Sequence, residues 1–209
     1  MTGPKWQRRS KDRPSEICEA ALEVFAEKGF AAAKVDEIAR RAGVSKGTLY
    51  IYFSDKAELF RAVVRSAVSP NLDAIREALA ASDVPFAELY PMLIARFAEM
   101  TTHVPVGAVA KMVIGESRNF PELAKVWREE VVDKIVKALI GIVERAQQRG
   151  EVKPGVPRLY VFSMVAPSLM GVLWREILEP AGGAPLDIEA LAKQHAEALL
   201  RGILEDNPE

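Results

Sequence analysis

Few residues of this chain have the types and spacing that catalysis requires. The 209-residue sequence contains two histidines, His103 and His195, which lie far apart, and a single cysteine, Cys18. It has no Cys/His spacing typical of zinc and no Gly-rich phosphate loop. Glu129 and Glu130 are adjacent, and neighbours on a helix face different directions, which predicts solvated surface charge. We therefore expect neither an enzyme nor a bound metal or cofactor.

Polar and small residues cluster instead around a predicted tight turn. The stretch 35–56, VDEIARRAGVSKGTLYIYFSDK, has the pattern of two short helices joined by that turn. Gly43 stands where the first helix would end with a positive φ angle, which glycine adopts without steric cost. Ser45 can cap the second helix by accepting a hydrogen bond from the amide of Gly47 or Thr48. This is a helix-turn-helix pattern, whose second helix enters the DNA major groove.

Apolar spacing determines which side of each helix is buried. Residues at i, i+3, i+4 and i+7 form the buried stripe of the first helix, and a pair at i, i+4 does so in the second. These core positions are Val35, Ile38, Ala39, Ala42, Leu49 and Phe53. The residues left pointing away from the core are Gly47, Thr48, Tyr50 and Ile51.

The run IARRAGVSKGTLYIYFSDKAELF closely resembles the signature of TetR-family (tetracycline-repressor-like) bacterial regulators. The preceding segment 20–30, AALEVFAEKGF, resembles the helix that stands before this signature, so the resemblance covers about the first quarter of the chain. The family usually has Ser or Thr before the valine that opens the second helix. Here that position is Lys34, which implies a weaker cap and a phosphate contact made by an ammonium group.

The resemblance implies a set of contacts to double-stranded DNA, and a two-fold dimer would read a palindromic operator. It places four residues at base edges and three at phosphates, with Ser45 capping the recognition helix. The base-edge residues are Lys46, Gly47, Thr48 and Tyr50, and the phosphate residues are Lys34, Tyr52 and Lys56. Tyr52 can equally be a half-buried core aromatic. The charge distribution supports DNA contact at one end, because residues 1–65 hold 13 basic and 9 acidic side chains against 15 and 20 in the remainder.

Helical spacing without a convincing strand predicts an all-α protein of about nine helices. A three-helix helix-turn-helix head would stand on a larger C-terminal helical body. We expect a flexible basic tail over 1–12, or else an arm that reaches a DNA groove. The DNA-binding domain would span 13–54, with its first helix beginning near Pro14 or Ser15. The effector-binding and dimerisation domain would span 55–209, with its first helix interrupted at Pro70.

The middle helices are rich in Met and aromatic residues, which form either a plain core or an adaptable apolar pocket. The resemblance implies a pocket for a small-molecule effector, and the composition predicts that this effector is largely apolar. The candidate pocket residues are Phe97, Met100, His103, Met112, Glu116, Trp127, Met170 and Trp174. Arg96, His103 and Glu116 are the candidate polar anchors.

The last two helices are predicted to form a homodimer. Small residues in the first of them would let another helix pack closely, and the final helix supplies a further apolar stripe. The candidate interface residues are Ser163, Ala166, Gly171, Leu191 and Leu199. The alternative is that a monomer buries these residues internally.

The sequence predicts a cytoplasmic protein without a membrane segment. No signal peptide is visible, and the longest apolar run, 161–174, is shorter than a membrane span. The function predicted is a ligand-responsive, sequence-specific DNA-binding regulator, a repressor that a small apolar effector releases. Two other interpretations remain open: a small-molecule carrier or enzyme with a degenerate DNA-binding head, and a ligand-independent architectural DNA-binding protein.

Overall fold

The computed structural model describes the backbone of residues 5–67, 83–103 and 106–205, and the side chains of 13–66, 83–101 and 106–205. Over these residues the secondary structure is helical, apart from one isolated bridge between Val152 and Leu204. The predicted all-α fold is confirmed. The predicted interruption at Pro70 and the side chain of His103 lie outside the described residues.

The described ranges contain ten α-helices, numbered in chain order. They are α1 (Lys5–Ala32), α2 (Val35–Arg41), α3 (Lys46–Tyr52), α4 (Lys56–Ala67), α5 (Phe86–His103), α6 (Val106–Glu116), α7 (Pro121–Trp127), α8 (Asp133–Gln148), α9 (Pro157–Leu173) and α10 (Ile188–Ile203). A π-helical turn, Arg128–Val132, precedes α8, and another, Trp174–Leu178, follows α9.

Helix α1 begins earlier than the sequence predicts. It starts at Lys5 and carries Pro14 inside it, so the tail predicted over 1–12 is helical from Lys5 onward. The residues between them are mainly Lys, Arg and Gln, which have good helix propensity. At the other end, Gly29 has φ 77°, which breaks the helical path before the last residues of α1.

The chain packs into two compact units. The first unit comprises Met1–Pro70 and Ala108–Val131, and the second comprises Asn71–Gly107 and Val132–Glu209. The helix-turn-helix therefore shares a compact unit with α7, which lies well beyond the predicted domain boundary at residue 54. The boundary at residue 54 remains a prediction about which residues bind DNA. The packing instead places residues 55–70 and 108–131 in the same unit as the helix-turn-helix.

An aromatic cluster forms the centre of the first unit. Phe25 and Phe30 of α1 have ring centroids 5.6 Å apart, and Phe60 of α4 lies 6.0 Å from each of them. Phe120, which comes just before α7, lies 5.1 Å from Phe30 in an edge-on arrangement. Such pairs stabilise a core beyond the area they bury. Residues from both segments of the first unit therefore share one core.

The second unit has its own core, formed by α5, α8, α9 and α10. Its fully buried members include Phe86, Val143 and Val161. The Tyr90 hydroxyl donates to the Met164 carbonyl at 3.1 Å, so the buried polar group is satisfied. The predicted helical body is thus a packed core around these four helices.

Helix α9 and the π-helical turn after it form one continuous helix over Pro157–Leu178. By length and composition alone these 22 residues are sufficient to cross a membrane, and they are longer than the apolar run that the sequence indicates. Only 28% of the apolar window is buried within the chain. The exposed residues include Leu159, Phe162 and Leu169, so α9 presents an apolar face that the described part of the chain leaves uncovered.

Candidate nucleic-acid interface

The turn between α2 and α3 has the geometry that the sequence predicts. Gly43 has φ 65°, a conformation that residues with a Cβ rarely adopt. The Ser45 side-chain oxygen accepts a hydrogen bond from the Thr48 amide at 3.0 Å, and the two hydroxyl oxygens are 2.8 Å apart. Ser45 is therefore the N-cap of α3, as predicted, and it also fixes the Thr48 side chain.

The buried and exposed sides of the motif also agree with the predicted spacing. Ile38, Ala39, Leu49 and Phe53 are buried, and they hold α2 and α3 against the rest of the first unit. Ile51 is 79% exposed and Tyr50 is 45% exposed on α3. Two large side chains thus face solvent on a seven-residue helix. These exposed side chains contribute little to stability within the chain, so the arrangement suits contact with a partner.

The start of α2 has the weak cap that Lys34 implies. No side chain caps this helix end, although the Lys34 carbonyl accepts from the amides of Glu37 and Ile38 at 3.0 and 3.1 Å. The Lys34 side chain is exposed, so its ammonium is available to a phosphate. In place of a cap, the negative charges of Asp36 and Glu37 in the first turn interact favourably with the helix dipole.

Lys46, a predicted base contact, is paired with an acidic residue of α2. Its ammonium donates to the Asp36 carboxylate at 3.0 Å, with both side chains exposed. The hydrogen bond from Lys46 to Asp36 raises the pKa of the lysine above its usual value. Lys46 therefore remains charged at neutral pH and is held across the turn in the free protein.

Lys56 has partners that the resemblance does not imply. Its ammonium donates to the carbonyls of Phe30, Ala31 and Ala33 at 2.6, 3.3 and 3.1 Å and lies 4.4 Å from the centre of the Phe30 ring. Burial lowers the pKa of Lys56, while the charge of Glu116 opposes that effect. An ammonium has three N–H donors, and all three have acceptors here. The predicted phosphate contact would require Lys56 to leave these carbonyls.

Glu116 also differs from its predicted role. The sequence assigns it to the effector pocket, whereas its carboxylate accepts hydrogen bonds from the backbone amides of Phe30 and Ala31 at 2.7 and 2.6 Å. Both of its oxygens therefore contact the end of α1, after the break at Gly29 and just before α2. In this arrangement Glu116 supports the helix-turn-helix by binding backbone amides just before it.

Glu130 is not the solvated surface charge that the sequence predicts. It is only 6% exposed. Its carboxylate accepts from Arg61 at 3.1 Å and from Arg65 at 2.9 Å, and Arg61 also contacts Glu129 at 3.1 Å. Glu130 can be buried because the two arginines of α4 supply the charges that a buried carboxylate needs.

Two further DNA-contact candidates, Gly47 and Tyr52, are on α3. Gly47 is exposed on α3, and a Cβ added there would meet only the Ser45 hydroxyl oxygen at 3.8 Å. Tyr52 is half-buried, with its ring 6.4 Å from that of Phe53. Its two interpretations, phosphate contact and partial core residue, both fit this position.

The effector-pocket candidates are divided between the two compact units. Met112 and Trp127 belong to the first unit, with Glu116, and the others belong to the second. Met170 is 54% exposed on α9, which does not suit a residue lining an interior pocket. The Trp174 indole donates to the Ala184 carbonyl at 2.9 Å. Phe97 is half-buried and Met100 is buried, so these two remain pocket candidates within the second unit.

The dimer candidates also separate into two groups. Ser163 and Ala166 are exposed on α9, as an interface requires. Gly171 is buried, and a Cβ added there would lie 2.8 Å from Leu191, so these two residues pack α9 against α10 within one chain. Leu199 packs against the core of the second unit. These three residues are therefore part of the internal packing.

The sequence predicts Ala166 as an interface residue but does not single out Leu159 and Phe162, which α9 also exposes. Leu159, Phe162, Ala166 and Leu169 follow one another at intervals of three and four residues, a spacing that places them on one face of a helix. This spacing was available in the sequence. Because the whole helix is apolar, however, periodicity alone does not separate the inward face from the outward one.

Two family models match the chain. One, described as bacterial regulatory proteins of the tetR family, matches residues 17–63. The other, described as the tetracyclin repressor-like C-terminal domain, matches residues 91–192. The two matched segments include the helix-turn-helix and most of the helices that follow it.

Individual relatives agree with these models. The uncharacterized HTH-type transcriptional regulator YdeS of Bacillus subtilis is 30% identical over 153 residues, which are 73% of this chain and 74% of that protein. The HTH-type transcriptional activator FasR of Mycolicibacterium smegmatis is 47% identical over 68 residues, but the match spans only 32% of this chain and 31% of FasR. The solved structure of FadR from Bacillus subtilis in complex with stearoyl-CoA has a TM-score of 0.74 at 22% identity, covering 90% of this chain and 98% of that one.

Sequence, fold and interface geometry lead to the same assignment. Ser45 caps the recognition helix, Gly43 forms the turn, and α3 exposes Tyr50 and Ile51, as a helix-turn-helix that reads DNA requires. TetR-family regulators bind DNA operators and small-molecule effectors and are dimers. This chain belongs to the TetR family and is a sequence-specific DNA-binding transcriptional regulator.

Proposed function

We propose that this regulator is a dimeric repressor in the cytoplasm that releases its operator when a small, largely apolar molecule binds its C-terminal body. The observation that carries the proposal is the capped recognition helix α3, which exposes Tyr50 and Ile51. A short helix of this kind contacts only one half-site. Two copies related by a two-fold axis would contact a palindromic operator, with the half-sites about one helical turn apart.

The exposed apolar face of α9 supports the dimer. Its residues lie on one side of the helix, and the next turn continues the surface with Ile177 and Leu178. The exposed members on α9 are Leu159, Phe162, Ala166, Leu169 and Met170. A soluble protein rarely exposes a continuous apolar surface of this kind without a partner. A second copy of α9 presents the same residues, as an isologous contact requires.

The dimer can be tested by replacing an exposed apolar residue with a charge. We expect Leu159→Glu to shift the solution mass toward that of one chain, because a carboxylate in an apolar interface loses its hydration without gaining a partner. Ile114→Glu is the matched control, since Ile114 is similarly exposed but lies on α6. A wild-type mass of one 23.0 kDa chain at micromolar concentration would rule out the dimer.

DNA recognition can be tested by selecting binding sites from random duplex DNA with the wild-type protein. We expect the selected sites to be palindromic. Thr48→Ala should weaken binding to the selected site by about 1–3 kcal/mol and relax its sequence preference. Lys34→Ala should weaken all sequences similarly and reduce the salt slope by about one.

The control for the phosphate contact is Lys193→Ala, which removes an exposed lysine of α10 in the second unit. Its salt slope should equal that of the wild-type protein. Equal slopes for Lys34→Ala and Lys193→Ala would remove Lys34 from the DNA interface. Failure to select any sequence would overturn the sequence-specific recognition itself.

A long-chain acyl thioester is the first effector to test. FadR of Bacillus subtilis was crystallised with stearoyl-CoA, and its fold resembles that of this chain. An effector weakens DNA binding only if it favours the DNA-incompetent state. We expect saturating stearoyl-CoA to lower operator affinity by the roughly 1–3 kcal/mol typical of allosteric coupling.

Three results separate the possible functions. Release of the operator by stearoyl-CoA supports a repressor with an acyl effector. Binding of stearoyl-CoA by a protein that selects no DNA sequence favours a carrier with a degenerate head. Sequence-specific DNA binding that no apolar compound weakens favours the ligand-independent interpretation.

A further inference from the structure

Segment 30–34, which comprises the end of α1 after the break at Gly29 and the turn into α2, is held from two directions by side chains distant in sequence, and it is called the α1–α2 turn below. Glu116, the last residue of α6, accepts from the amides of Phe30 and Ala31 at 2.7 and 2.6 Å. Lys56, the first residue of α4, donates to the carbonyls of the same two residues at 2.6 and 3.3 Å and to that of Ala33 at 3.1 Å. Backbone donors and acceptors of the turn are thus bound by opposite charges.

Gly29 makes room for the Glu116 carboxylate. Its φ of 77° breaks the helical path of α1 immediately before the two amides that Glu116 binds. A Cβ added to Gly29 would lie only 2.4 Å from the nearer Glu116 oxygen, which is far inside van der Waals contact. The close approach of this carboxylate therefore requires a glycine, and its hydrogen bonds are of the stronger, charge-assisted kind.

The turn leads directly into the DNA-reading helices. Lys34, at its end, accepts the first two hydrogen bonds of α2 from Glu37 and Ile38. Helix α2 in turn carries Asp36, whose carboxylate holds Lys46 at the start of α3. A displacement of the turn would therefore move the first turn of α2 and the contact between α2 and α3.

We propose that Glu116, which lies outside the helix-turn-helix, is a positioning residue for operator recognition. It fixes the α1–α2 turn and, through that turn, the orientation of α2 and α3. It does not contact DNA itself. The inference depends on the DNA-reading role of α3 and goes beyond it by assigning part of the recognition geometry to a residue more than 60 positions away.

The sign of the expected effect separates positioning from electrostatics. Removing a negative charge from a DNA-binding protein favours contact with phosphates, so loss of the Glu116 charge alone would strengthen binding to any sequence. Loss of a positioning contact has the opposite effect on the specific site, because base contacts depend on the orientation of the recognition helix. Weaker specific binding after removal of this carboxylate would therefore indicate positioning.

The experiment compares three variants of the full chain with the wild-type protein, at a temperature where circular dichroism shows all four to be folded. Glu116→Ala removes both acceptors, and Glu116→Gln retains one carbonyl oxygen. Glu19→Ala is the charge-matched control, because Glu19 is an exposed residue of α1 in the same compact unit. Hydrogen exchange of the Phe30 and Ala31 amides is measured without DNA, and affinity is measured for the selected operator and for unrelated duplex DNA.

In Glu116→Ala we expect the two amides to exchange about tenfold faster, as the loss of hydrogen bonds to a charged acceptor implies. The ratio of specific to non-specific affinity should fall about fivefold or more. Glu116→Gln should restore part of both effects, and Glu19→Ala should show neither.

Several results would overturn the proposal. Unchanged exchange in Glu116→Ala would show that the carboxylate does not hold the turn. Faster exchange with an unchanged affinity ratio would make the contact structural only. Equal behaviour of Glu116→Ala and Glu19→Ala on DNA would assign the effect to charge. If the wild-type protein selects no DNA site, the DNA-reading role is overturned. The exchange measurement, which needs no DNA, still shows separately whether Glu116 holds the turn.

Discussion

The buried carboxylate of Glu130 should contribute more to stability than its exposed partner Arg65. It is 6% exposed and accepts hydrogen bonds from Arg61 at 3.1 Å and from Arg65 at 2.9 Å. The two arginine side chains differ in exposure, at 28% for Arg61 and 60% for Arg65. Removing the shared acceptor and removing one donor are therefore unequal perturbations.

The magnitudes follow from what each substitution leaves behind. Breaking a buried ion pair typically costs about 3–5 kcal/mol when it leaves an uncompensated buried charge. After Glu130→Ala, Arg61 keeps Glu129 at 3.1 Å and the exposed Arg65 regains water, so we expect the loss to be smaller, at about 2 kcal/mol. After Arg65→Ala, Glu130 still has Arg61, and we expect a loss below about 1 kcal/mol.

The assay is urea unfolding of the wild-type protein and both variants at one protein concentration, since dimer formation makes stability concentration-dependent. Fluorescence of Trp127 reports on the first unit, in a background where Trp6 and Trp174 are replaced by Phe. Glu130→Gln serves as the isosteric control and should fall between the two variants. If Arg65→Ala destabilises the protein as much as Glu130→Ala, the shared-acceptor account is wrong.

Three further predictions concern backbone strain, pH and cysteine reactivity. Gly43→Ala should cost about 1–2 kcal/mol of unfolding free energy, because the φ of Gly43 is 65° although an added Cβ would meet no neighbour. Gly29→Ala should cost more, because an added Cβ there would also meet a carboxylate oxygen at 2.4 Å. Equal costs in urea unfolding would contradict this prediction. Glu151 has a lowered pKa because Arg149 and, to a smaller extent, the Phe86 amide donate hydrogen bonds to its carboxylate. Its contribution to folding stability is therefore present above its unfolded pKa near 4.5 and is lost as the pH falls through the lowered folded value. Glu151→Gln should thus be about 1 kcal/mol less stable at pH 7, a difference that closes in acid, and a constant difference across this pH range would refute the assignment. Cys18 is buried and burial raises the pKa of its thiol, so a thiol reagent should label it in urea but only very slowly in the native protein, and rapid native labelling would show that α1 packs differently.

The residues of the helix-turn-helix show what local sequence determines. Gly43, Ser45 and the pair Leu49 and Phe53 have the conformation, cap and burial that their types and spacing predict. Each of these features depends on residues within one or two helical turns. The hydrogen bond from Thr48 to Ser45, for example, spans three positions. Such contacts are readable from sequence because the backbone geometry of a short helix fixes which side chains meet.

The roles of Lys56, Glu116 and Glu130 required the tertiary structure. Glu116 binds an amide 86 positions away, and Glu130 binds Arg61 69 positions away. No periodicity relates residues at these separations, so a charged side chain in the sequence is compatible with a pocket, a solvated surface or a buried ion pair. Only packing decided that these carboxylates meet backbone amides and arginines.

Helix α9 shows the same limit for apolar residues. Its sequence determined that it is a long apolar helix, but an almost uniformly apolar helix has no marked polar side to indicate its orientation. The fold placed Gly171 against Leu191 inside the chain and left Leu159 and Phe162 exposed. The sequence by itself therefore determined the DNA-reading motif through local geometry, while tertiary contacts decided which distant residues support that motif and which face of α9 is available to a second copy.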